Sequence, residues 1–104
     1  MTDNSSYPRL TFEGGFDERE AFEARARGYR DHVIVELDNS NRYPVVFYDA
    51  VRLKQDLEDE ARLGNPFLAD PGLIVLQEVT EENMRCAVAK LVEQRFFDGF
   101  KPLE

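Results

Sequence analysis

The chain has no tryptophan, one cysteine and one histidine in 104 residues. A lone Cys86 closes no internal disulfide, so stability has to come from a packed core and not from a covalent staple. One histidine excludes a two-histidine zinc site, and one cysteine excludes thiolate clusters. No metal and no cofactor is therefore expected. Uninterrupted aliphatic sequence is scarce: the longest run is Leu73-Ile74-Val75-Leu76, far short of the ~20 residues a bilayer span needs. Met1 to Pro8 is polar and lacks the apolar segment of a secretory signal. These absences point to a protein that does not engage a membrane and resides in the cytoplasm. Gly14-Gly15 precede a helix signal but lack the spacing of a phosphate-binding loop.

Lysine is also rare, three residues beside ten arginines, and the 13 basic residues face 21 acidic ones for a net charge of −8. Binding to nucleic acid draws on clustered cations that displace counterions, so no nucleic-acid partner is expected. A basic protein is the natural electrostatic complement.

What is present suffices for one domain. Apolar residues make up 42% of the chain and eight of them are phenylalanine, enough to bury a core. Residues 1–8 read as a flexible arm and 9–102 as a single α+β domain. Asp17 is placed to cap a helix over 18–27, with Glu20 three residues on, Gly28 at the stop, and Phe22 and Ala26 on one side. A hairpin follows, with strands ending at Leu37 and starting at Arg42 around the turn cluster Asp38-Asn39-Ser40-Asn41. Pro44 places its second strand at an edge. Asp49 caps a second helix with the stripe Ala50, Leu53, Leu57 and Ala61, ended by Gly64. Leu73–Val79 reads as a central strand. Thr80 caps a third helix with the stripe Met84, Ala87, Val88, Leu91 and Val92.

The order is α-β-β-α-β-α, with a possible fourth strand at Arg9–Phe12. The expected fold is a three-stranded, possibly four-stranded, antiparallel sheet. Its arrangement is a split βαβ with strand 73–79 beside strand 33–37 and the helices mainly on one face.

If Leu37 pairs with Arg42, one sheet face carries Tyr43, Val45 and Phe47, and it needs helix 18–27 or a partner as cover. A one-residue change of register swaps the two faces. Phe67, in a loop with two prolines, is either a plug of the core edge or a recognition tip. Phe97 and Phe100 either fold back on the domain or enter an interface. Cys86 lies off the third helix's stripe, as a solvated thiol.

The leading expectation is a small acidic interaction module without catalysis. It would self-associate, as a homodimer, or bind a basic protein in the manner of an inhibitor or immunity partner. Its surface would comprise Tyr43, Val45, Phe47, Phe67, Phe97 and Phe100. The alternative is a small enzyme or ligand-binding domain with a site around His32 and Tyr43, since imidazole suits proton transfer near neutral pH.

Overall fold

The computed structural model describes residues 7–104; residues 1–6, most of the expected arm, lie outside the described part. The elements, in chain order, are β1 (Arg9–Phe12), α1 (Glu18–Arg27), β2 (Tyr29–Glu36), β3 (Arg42–Asp49), α2 (Ala50–Arg62), β4 (Leu73–Leu76), α3 (Glu81–Glu93) and a 3₁₀ turn at Phe96–Gly99. The fold is α+β, as the residue pattern implies.

All three helices start where local chemistry says they should. Asp17, Asp49 and Thr80 each accept a hydrogen bond from the backbone N–H three residues on, which satisfies an otherwise orphaned donor. Gly28 ends α1 in the left-handed region at φ 68°.

The sheet is a single four-stranded one in the order β1-β2-β3-β4. β1–β2 and β2–β3 are antiparallel, but β3–β4 is parallel. The sheet is thus mixed, and the all-antiparallel split βαβ expectation is corrected. The reason is competition for edges: Arg9–Phe12 occupies the free side of β2, so β4 can only add beside β3. Leu73–Leu76 accordingly forms an edge strand and not the expected central one, with Val75 half exposed. β3 is internal in spite of Pro44. The Val46 N–H bonds to the Gly72 carbonyl, so the nitrogen of Pro44, two residues earlier, faces the same side just before β4 begins. A missing donor there leaves no ladder bond unmade.

The hairpin register decides which faces are buried. Glu36, not Leu37, pairs with Arg42. The turn takes in Leu37 as well, with Ser40 at φ 73° and its N–H bonded to the Leu37 carbonyl. That single shift puts Val33, Val35, Tyr43, Val45 and Phe47 together in the core, where they join Leu10, Ile74, Val79, Met84, Val88 and Phe97. Ala24 brings α1 onto this same face. Phe22 and Ala26, the expected inner side of α1, are exposed instead, Phe22 to 74%. They lie two residues from Ala24, about 200° around the helix. α1 and α3 thus cover one face of the sheet. α2 takes the other, where Tyr29 and Tyr48 lie edge to face at 4.9 Å.

β2 carries a bulge at Asp31-His32, where two residues oppose one of β3. His32 is the bulged residue in the left-handed region, φ 56°. Without it, Arg30 and Val33 would point to opposite faces; the extra residue sets both toward α1.

Candidate interaction surface

Arg30 organises the bulge. Its guanidinium lies against the stacked rings of Phe12 and Phe16, 5.5 and 5.6 Å from their centres. It donates to the Glu13 and Gly15 carbonyls at 2.7 and 3.3 Å and to a Glu20 carboxylate oxygen at 2.9 Å. These bonds pin the 13–15 loop and the first turn of α1 beside β2. Glu20 therefore closes an ion pair with Arg30, where the sequence suggests a reciprocal capping contact.

Beside Arg30 opens a polar cleft of about 360 Å³, whose walls include Glu13, Glu20, Glu23, Asp31 and His32. Asp31 Oδ2 accepts from the Tyr29 hydroxyl at 3.1 Å and lies 3.1 Å from His32 Nδ1. A second hollow shares Tyr29, Asp31 and His32 with the first and runs past Pro44 and Val46 to Tyr48 and Asp70. A third shares Tyr48 and Asp70 with the second and adds Glu60, Phe67 and Leu68. Through these common residues the three hollows follow one another as a segmented trough, around the β2 bulge and beneath the end of α2.

The trough is acidic beyond its internal pairing. Glu20 is matched by Arg30 and Glu23 by Arg27. Glu13, Asp31, Glu60 and Asp70 have no Lys or Arg partner among the described residues; only the exposed His32 approaches the first two. Tyr29 and Tyr48 line its middle beside Asp31 and Asp70, and Phe67 stands 61% exposed at one end.

The floor under α2 is held by Arg52. It lies 4.7 Å over the Tyr29 ring and bonds Asp56 at 2.9 Å. Burial raises the Tyr48 hydroxyl well above the ordinary value of 10.0, and a hydrogen bond with Asp56 adds to it. Burial, followed by the nearby Asp31 charge, raises Tyr29 in the same direction. An acid whose folded pKa is raised stays protonated in the fold while the unfolded chain ionises first. The stability from these groups is complete below about pH 10, the unfolded tyrosine value, and is lost as pH rises through the folded values. Urea melts from pH 8 to 11 (an experimental range of about three units) are expected to show stability falling at the alkaline end. A Tyr29→Phe/Tyr48→Phe chain is expected to show a flatter profile, and an unchanged slope would refute the assignment.

The six residues expected at an interaction surface separate. Tyr43, Val45, Phe47 and Phe97 are in the core, so a surface made of them is corrected; the hairpin register turned three of them inward. Phe97 returns to the core because the chain reverses at Arg95, φ 61°, and the 3₁₀ turn stacks its ring 5.1 Å from Tyr43. Phe100 is half-buried and walls an apolar hollow with Pro44, Pro71 and Leu103. Phe67 is the one of the six presented to solvent. The pairing of His32 with Tyr43 is likewise corrected: Tyr43 faces the core, and the tyrosine joined to His32 through Asp31 is Tyr29. Cys86 is exposed, as expected.

Sequence reasoning missed Glu13, Asp31, Glu60 and Asp70 as a set. They come from four separate segments, and nothing local in the sequence joins them.

No helix is long and apolar enough to cross a membrane among the described residues. Fold and surface together define a small α+β domain with an acidic, aromatic trough. No family model matches the chain, and no curated protein or solved structure matches it.

Proposed function

We propose that this protein is a non-catalytic interaction module that binds a basic protein through the trough. The reading rests on one observation above all: four carboxylates without a Lys or Arg partner among the described residues line three adjoining hollows that end at the exposed Phe67. Rim charges of one sign steer an oppositely charged partner and set specificity. The exposed Phe67 ring supplies apolar area that desolvates on contact. A partner segment rich in Lys or Arg with an apolar anchor fits both features. The net charge of −8 adds long-range attraction, as an inhibitor or immunity-type partner of a basic protein would use.

The test is titration with a synthetic peptide alternating Arg, Lys and Phe, followed by amide chemical shifts. The expected shifts map to Glu13, Asp31, Asp70 and the Phe67 loop. Asp31→Lys and Asp70→Lys are each expected to weaken binding about 5-fold to 10-fold, on the order of 1 kcal/mol for a rim charge. Shifts spread evenly over the α3 carboxylates, or affinity unmoved by both reversals, would overturn the reading.

A further inference from the structure

α2 meets the sheet with the wrong line of residues for an amphipathic helix. Ala50, Leu53, Leu57 and Ala61 form its apolar stripe, yet no α2 residue is buried. Leu57 is 41% exposed, Leu53 is half-buried, and Ala50, Ala61 and Gly64 are exposed. The inward line is polar: Arg52 on Tyr29, Asp56 bonded to Arg52, and Glu60 accepting from the Asn65 side chain. Leu53 and Leu57 follow Arg52 and Asp56 by one residue, about 100° around the helix. The polar contacts anchor α2 and turn its apolar stripe sideways, away from the sheet.

We infer that this stripe is a self-association surface, and that α2 packs antiparallel against α2 of a second copy. Two features select a second copy as the occupant. The first is steric. With Leu57 on the two-fold axis, it meets the same residue of the second copy. Leu53 then meets Ala61, near the C-terminal end of the helix. Each Leu53 thus lies over a small alanine, and the two Leu57 side chains meet at the centre.

The second feature is charge. The other charges of α2 are largely spent internally, in Arg52–Asp56 and Arg62–Asp59 pairs. Lys54 and Glu58 are exposed, lie on one flank of the stripe, and make no ion pair among the described residues. In an antiparallel two-fold pair the same flank meets itself. Lys54 of each copy then faces Glu58 of the other, twice over. A basic foreign helix would complement Glu58 but oppose Lys54; the chain itself complements both.

A 13-residue helix extends about 20 Å. Its face alone gives an interface at the small end of the specific range, so the dimer dissociates on dilution. It does not depend on the trough, and the two readings fail separately: one is read by mass, the other by peptide binding.

The experiment is sedimentation equilibrium of the full chain with reductant, which removes disulfides through exposed Cys86, over a micromolar to millimolar series. The expected mass climbs from monomer to dimer. Leu57→Glu is expected to hold the chain monomeric with an unchanged urea midpoint, since Leu57 is already exposed. Ala61→Arg gives the same reading if Leu57→Glu perturbs the fold. Lys54→Glu and Glu58→Lys are each expected to weaken the dimer several-fold, and the chain carrying both is expected to recover it. A monomer at every concentration overturns the inference. So does a dimer indifferent to the stripe variants, or a double charge swap no better than the single ones.

Discussion

Gly72→Ala is expected to lower stability by about 3 kcal/mol or more, above the ordinary cost of overpacking a core. A Cβ at Gly72 would sit 2.2 Å from the Pro44 carbonyl oxygen and 2.9 Å from the Val45 Cα. Both neighbours are backbone, so no side-chain rotation relieves the contact. The Gly72 carbonyl also accepts from the Val46 N–H at 2.9 Å, the bond that starts the β3–β4 pairing. To make room, β4 has to withdraw from β3, and with it go Ile74 and the entry to α3. Urea unfolding of Gly72→Ala beside Gly99→Ala checks this. A methyl at Gly99 meets nothing within 4 Å, and its effect is expected to stay within about 0.5 kcal/mol. Equal midpoints for the two variants would mean that β4 does not approach β3 as described.

Phe97→Ala is expected to cost about 3–5 kcal/mol, the range for deleting a buried phenylalanine ring. The ring is 1% exposed. It stacks on Tyr43 at 5.1 Å and meets Phe96 and Phe100 edge to face at 5.1 and 5.8 Å. Removing it leaves a cavity that the 3₁₀ turn cannot close without leaving Tyr43 unpacked. Small domains hold only about 5–15 kcal/mol in all, so this one change can bring the fold near its limit. The control is Phe67→Ala, whose ring is 61% exposed and whose loss is expected to shift the urea midpoint little. If the two variants melted alike, Phe97 would be a surface residue after all.

The contrast between these two phenylalanines also marks how far the sequence could be read. Both occur near polar and turn-forming residues, and both carry the same side chain. Phe97 is buried because Arg95 adopts a left-handed conformation that folds the ring back. Phe67 stays exposed in the loop between α2 and β4, where no element packs over its ring. Neither fate is encoded within a few residues of the ring. The trough is illegible for the same reason: Glu13, Asp31, Glu60 and Asp70 become neighbours only once the bulge, α2 and the loop before β4 are assembled.

By itself the sequence determined the class and the positions of the helices. A cap such as Asp17, Asp49 or Thr80 bonds an N–H three residues away, and a stop such as Gly28 needs only its own φ. These interactions close within one turn of chain, so the local residues suffice. The α3 stripe was legible too, since its period and its burial coincide. Tertiary structure alone decided the rest. A one-residue shift, Glu36 and not Leu37 opposite Arg42, sent Tyr43, Val45 and Phe47 inward, because alternation in a strand converts any odd shift into an exchange of faces. Occupation of β2's outer edge by β1 sent β4 to β3. Polar contacts of Arg52 and Asp56 with the two tyrosines turned α2's apolar stripe away from the sheet. Each of these outcomes is a competition between segments distant in sequence, settled by which edge, face or partner is still free.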